Sequence, residues 1–292
     1  MIFRCCSRMH SDCRRKVQSL WDAAGFEVRR ISMTIFVCED SLDGILTGVY
    51  DAWDSRLGHS RVKLKTADVD TYELFCEYRD VKTDMEKAEK VLRTVFHRMG
   101  EEAGEAICYA CACPHPDKAD AIYRLIARGL SMTDGTKAVY YLQDSSVSLV
   151  MKLRQKAWHE AHRMLGFLRF EELSGGVLYA QMEPPYAVLP LIAPHFADRL
   201  RQENWIIHDL KRGLLALHRA GGWWVLTDDQ ELNREFLAGR AEREEEFQML
   251  WRTFCRTIAI EERRNPRCQQ TLLPCRFRPH MNEFQTAGEN NR

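Results

Sequence analysis

His159-Glu160-Ala161-His162 sets two imidazoles three residues apart, a spacing that on a helix lets both reach one metal ion. A metal centre needs a further ligand, and spacing identifies none, so the pair reads as ordinary helix-surface or hydrogen-bonded histidines. Cys108, Cys111 and Cys113 have neither the paired CxxC spacing of structural zinc nor the three-cysteine spacing of a radical iron–sulfur enzyme. They fall in a helix-like segment where small apolar thiols pack as core. No metal or cofactor is therefore predicted. His162, His195 and Asp209 are the candidates for proton transfer, provided that the fold brings them together. Successive residues of a strand face opposite ways, so His208 and Asp209 point apart, and Asp209 shares a face with Trp205, Ile207 and Lys211. A satisfied structural carboxylate is the simpler reading there.

Arginine carries the clearer signal. Between residues 263 and 280 stand Arg263, Arg264, Arg267, Arg276 and Arg278 with no acid among them, and Phe277 lies between the last two. Guanidinium forks bind phosphate bidentately, and an aromatic ring between them offers a stacking face. Arg163 and Arg169, with Lys152, Arg154 and Lys156, extend this basic field. The competing reading is a solvated surface salt-bridged to residues 228–246, which hold eight acids and three bases. The Gly-rich nucleotide loops, the GxSxG elbow and the HExxH zinc helix are all missing from the sequence.

The elements that must position these groups follow from periodicity. Thr34 to Cys38 is a short β run, and Leu42, Ile45, Leu46, Val49, Tyr50 and Trp53 form one apolar helix face capped by Asp40 or Ser41. Val62–Lys65 alternates weakly, and Tyr72–Tyr78 reads as another strand with interleaved charges. Residues 84–130 read as three helices divided by Gly100, Gly104 and Pro114-His115-Pro116, and residues 144–165 as a fourth. The period then changes to two. Gly166–Leu173 and Val177–Met182 flank Ser174-Gly175-Gly176 as a hairpin, a helix carries His195 and Arg199, and Trp205–Leu210, Leu214–His218 and Trp223–Leu226 are further strands. Phe247, Leu250, Trp251, Phe254 and Ile258 have helical spacing and are expected to pack on the body. The fold class is α+β, an antiparallel sheet flanked by helices with a largely helical N-terminal half.

Lysine and arginine number 42 and aspartate and glutamate 42, with 45% apolar residues, which describes a globular chain and excludes a disordered or collagenous one. Residues 1–32 carry seven bases and three acids without a secretory apolar run, and read as a disordered extension or an upstream stretch from a misplaced start. The expected divisions are 1–32, a strand–helix start and helical lobe at 33–143, an α+β unit at 144–284 and a tail at 285–292. Eleven cysteines without an export signal point to a reducing, cytoplasmic setting with no membrane association. Residues 68–105 hold eleven acids and six bases, a poor face for a polyanion.

Val37-Cys-Glu39-Asp40-Ser-Leu-Asp-Gly44-Ile45, Val49-Tyr50-Asp51-Ala52-Trp53, His162-Arg163-Met-Leu-Gly166-Phe167-Leu-Arg169-Phe170, His195-Phe196-Ala-Asp198-Arg199, Trp205-Ile-Ile-His-Asp209 and Glu261-Glu-Arg-Arg264-Asn265-Pro266 through Arg276-Phe277 carry a resemblance. Together they resemble a bacterial family of DNA metabolism or DNA repair proteins defined by a domain of unknown function. Members are sometimes fused to a uracil-DNA glycosylase-like domain and encoded beside a DNA-modifying radical S-adenosylmethionine (radical SAM) protein. The resemblance spans Met33 to Phe284, and the eight residues after Phe284 are too few for a glycosylase domain, so the chain looks like the stand-alone form. It implies DNA as partner, with a radical SAM protein and a uracil-DNA glycosylase-like protein as further partners, and it brings no catalytic residues with it. The expected function is DNA binding accessory to the radical SAM enzyme. The alternatives are an enzyme acting on damaged or modified nucleotides, or a protein-interaction scaffold.

Overall fold

The computed structural model describes residues 33–66, 73–230, 237 and 239–285. The leader at 1–32, most of the tail and part of the charged stretch at 231–238 lie outside the described residues. Strand β1 (Met33–Cys38) leads through Ser41, whose Oγ accepts from Gly44 N at 3.0 Å, into α1 (Leu42–Asp54). Strands β2 (Val62–Thr66) and β3 (Cys76–Asp80) both pair parallel to β1, giving the order β2-β1-β3. The N-terminal half is therefore mixed rather than largely helical. Its strands were faint in the sequence because β2 and β3 each present one charged, solvent-facing side.

Helix α2 (Met85–Cys111) runs through Gly104 without a break and bends at Gly100, where φ is +81°, and α3 (Lys118–Ser131) follows. The backbone at Gly100 is non-helical and separates two helical runs within α2, so the stretch holds the expected three runs, divided at Gly100 and at Pro114-His115-Pro116, with Gly104 inside the second run. The segment at 132–144 is packed against the body, because Ala138 and Val139 are buried in the first core. That core gathers β1, β2, α1, α2, α3 and the first half of α4 (Ser145–Phe167).

The second sheet contains β4 (Phe170–Leu173), β5 (Val177–Met182), β6 (Asn204–Asp209), β7 (Leu214–His218) and β8 (Trp224–Asp228), in that order. Gly175 and Gly176, both at positive φ, turn β4 into β5. The sheet is mixed, because helix α5 (Leu189–Arg199) carries the chain over one face and returns β6 parallel to β5; the other pairs are antiparallel. Ala180, Met182, Trp205, Ile207 and Ala216 form the covered face with α5, the second half of α4, Phe277 and Met281. The α+β class holds.

Helix α6 (Glu244–Thr257) departs from expectation, since Phe247, Leu250, Trp251, Phe254 and Ile258 remain exposed. Glu244 and Gln248 are buried instead and bond to each other at 2.8 Å, and Glu244 accepts from Glu172 N at 3.0 Å. These polar groups anchor α6 to β4 by its edge and rotate the apolar stripe outward. A short helix α7 (Pro266–Leu272), capped by Asn265, precedes 3₁₀ turns that end at Phe284. Among the described residues no helix is long and apolar enough to cross a membrane.

Candidate nucleic-acid interface

Helix α4 is capped by Asp144, which accepts from Ser146 N at 2.8 Å and is held by Arg128 Nε at 3.0 Å. Burial works against ionisation of Asp144, but Arg128 and the amides of the first turn outweigh it and hold the carboxyl below the usual range. Val147, Val150, Leu153 and Ala157 point to the first core, and Ala161 and Met164 to the second. At about 100° per residue, Lys152, Lys156, His159 and Arg163 must then fall within a narrow stripe on the opposite side, running for about 16 Å. All four are exposed. Trp158, 44% exposed, flanks the stripe with its ring stacked on His162 at 5.1 Å and edge-on to His159 at 5.2 Å.

The stripe lacks a carboxylate because the helix's one acid, Glu160, is turned inward and is 2% exposed. Burial pushes its carboxyl up, against the opposing pull of Arg276 and Arg163, and Arg276 forms an ion pair with its Oε2. Arg154 leans toward Glu105 at 3.8 Å. Lys152, Lys156 and Arg163 have no ion-pair partner among the described residues.

The C-terminal arginines do not form the expected continuous ridge. Arg276 faces Glu160, with its guanidinium also over the Phe277 ring at 4.7 Å. Phe277 is 5% exposed and packs on Phe167 at 5.0 Å, so it offers no stacking face. Arg278 lies over Phe284 at 4.9 Å, its Nε and Nη2 buried without hydrogen-bond partners among the described residues. Arg169 is committed to Glu283 at 2.8 Å and to the carbonyls of Gly166 and Leu168. Arg264 pairs with Glu261 at 3.0 Å, while Arg263 and Arg267 are exposed. Consecutive residues of a 3₁₀ turn point about a third of a circle apart, which sends Arg276, Phe277 and Arg278 to different surroundings. Arg276 and Phe277 therefore fasten the C-terminal segment to α4, Arg169 ties it at Glu283 to the residue just before β4, and Arg278 packs on Phe284 within the segment.

His162, His195 and Asp209 are not assembled into one site. His162 is on the outer side of α4 and His195 on the exposed side of α5. Asp209 is fully buried at the β6–β7 turn, accepting from Lys211 N at 3.1 Å, Arg212 N at 3.3 Å and Arg212 Nη1 at 3.0 Å. Arg212 in turn donates to the carbonyls of Pro184 and Pro185. Asp209 is a structural carboxylate whose partner is Arg212 rather than Lys211. Cys111 and Cys113 are buried, Cys113 donates to Leu153 O at 3.3 Å, and burial pushes both thiols up. Among the described residues no three His, Cys, Asp or Glu side chains converge as a metal centre would require.

One polar chain had no signal in the sequence, because its members come from separate strands. Gln181 Nε2 donates to Tyr179 Oη at 3.1 Å, leaving the phenol to donate to His208 Nδ1 at 2.9 Å; His208 Nε2–H then donates to Asp229 at 3.2 Å. Tyr179 and His208 are buried on the sheet face turned away from α5, and burial pushes the phenol up, so this chain orders the sheet rather than supplying a phenolate.

A search of curated proteins finds no match. Among solved structures, a DHH-domain protein described as a member of a family of ribosomal proteins is similar over 73% of this chain and 86% of that chain, at 10% identity and a TM-score of 0.31. That likeness is too slight to transfer either fold or function. Residues 116–283 match a domain of unknown function (DUF4130), and with more than half of its length inside that match the chain belongs to this family.

Proposed function

We propose that the chain is a DNA-binding protein of DNA metabolism, holding a phosphate backbone along the outer side of α4. The observation that carries this reading is the stripe of Lys152, Lys156 and Arg163, exposed and without carboxylate partners because Glu160 points inward. Phosphate neutralisation needs free cations at intervals along a rigid support, and a helix anchored in two cores is such a support. Arg263 and Arg267 add exposed charge elsewhere on the C-terminal segment. The accessory role beside a radical SAM enzyme, and any link to a uracil-DNA glycosylase-like protein, come from the resemblance, and co-purification of the expressed pairs tests them.

Three cations each neutralising one phosphate give a slope of log K against log salt of about −2.7. Anisotropy titration of a short duplex across a salt series measures it. Reversing Lys152, Lys156 and Arg163 to glutamate one at a time should reduce the slope by about one each. A salt-independent interaction, no binding at low salt, or a triple variant that binds like the parent would refute the proposal.

A further inference from the structure

We infer that the cleft between the end of α5 and the β7–β8 turn receives an unpaired nucleobase, with Trp223 as its stacking platform. This rests on the DNA-binding reading and adds to it a second, single-strand-selective contact.

The turn is pinned in three places. Gly221, at φ +69°, donates its N–H to Arg201 O at 2.7 Å, Gly222 N donates to Arg219 O at 2.8 Å, and Ala220 N donates to Asn204 Oδ1 at 3.0 Å. A backbone fixed this tightly nevertheless presents Trp223 at 91% exposure, the most exposed of the described large apolar side chains. Stacking the indole on the neighbouring core would have buried apolar surface, and the tied turn prevents it. Behind Trp223 opens a cleft of about 450 Å³ lined by Pro194, Ala197, Asp198, Arg201 and Trp224, within the size range of small-ligand sites.

The lining chemistry selects the ligand class. The indole offers a π face for a planar ring. Arg201 supplies a guanidinium, and neither it nor Asp198 is in an ion pair among the described residues. The Asp198 carboxylate repels a bare phosphate placed in the cleft but accepts a hydrogen bond from the exocyclic amine of a base. A base stacked on Trp223, its amine toward Asp198 and its flanking phosphate toward Arg201, satisfies all three groups. A paired base cannot, because its amine is engaged and its faces are covered by the stack.

The test titrates the full chain with a twelve-nucleotide deoxycytidine strand and, in parallel, with a short duplex. Trp223→Ala should weaken the single strand about tenfold, in line with the cost of losing one aromatic platform, and leave duplex affinity unchanged. Trp223→Phe should keep most of the single-strand affinity. If Trp223→Ala binds the single strand as the parent does while the duplex still binds, the stacking site is refuted and the α4 reading stands. If the parent binds neither DNA at low salt, the α4 reading fails and takes this inference with it.

Discussion

Arg276 separates two roles that a basic side chain can play, and its substitution decides between them. In the structure its guanidinium pairs with Glu160, a carboxylate 2% exposed whose other oxygen, Oε1, is buried without a hydrogen-bond partner. Arg276→Met removes the counter-charge and strands Glu160. Breaking a sealed pair costs about 3–5 kcal/mol, but the Arg276 side chain keeps 46% of its exposure, so water screens part of the interaction and about 2–3 kcal/mol is expected. Glu160→Gln in the same chain should recover most of that loss, because an uncharged amide needs no counter-ion. The stranded carboxyl is already pushed up by burial and would rise further without Arg276, so the penalty should shrink as the pH falls through its raised value. Urea unfolding of the two single variants and the double variant, at neutral and mildly acidic pH, reads each of these. A loss below about 0.5 kcal/mol for Arg276→Met, or no recovery in the double variant, would refute the pairing. Meanwhile the salt slope of DNA binding should not move, whereas a phosphate-contacting Arg276 would lower it by about one.

Two further outcomes are expected. A Cβ on Gly48 would sit 2.1 Å from Cys38 Sγ, so Gly48→Ala should cost about 1–3 kcal/mol by overpacking α1 against β1, with Cys38→Ala recovering part of it; a Gly48→Ala chain with the parent's urea midpoint would contradict this packing. Burial opposes ionisation of Glu283, but Arg169, the residue's own backbone N–H and Trp251 hold its carboxyl below the usual range. Its contribution to stability is therefore present above the ordinary glutamate value and disappears as the pH falls through the depressed one. Glu283→Gln should lose about 1–2 kcal/mol at neutral pH and converge with the parent in strong acid, and a difference that persists undiminished there would overturn the assignment.

What the sequence revealed was local. Ser41, one of two capping candidates, announced its helix because a capping oxygen acts on an amide three residues away, and Gly175-Gly176 announced a hairpin because the turn itself demands positive φ. The parallel placement of β6 beside β5 was illegible, since it depends on α5 packing over the sheet and not on either strand. In α6 the spacing correctly grouped Phe247, Leu250, Phe254 and Ile258, but periodicity states which residues share a side and not what that side meets. The same holds for the candidate site. Lys152, Lys156 and Arg163 could be singled out, yet their freedom from carboxylates depends on Glu160 turning inward to meet a residue 116 positions away. The partner of Arg169 is 114 positions distant and equally invisible to spacing.

Because a single rod, α4, is embedded in both hydrophobic cores, neither half can melt while the other keeps its full complement of neighbours. Amides along the middle of that rod should exchange with deuterium only through opening of the entire molecule. Excising residues 116–283 as an independent piece would strip Ile122, Leu125 and Ile126 of the layer formed by β2 and α2, leaving a bare oily flank that invites precipitation. The portion shared across the family is thus half of a cooperative whole, and experiments on its chemistry belong on the longer polypeptide.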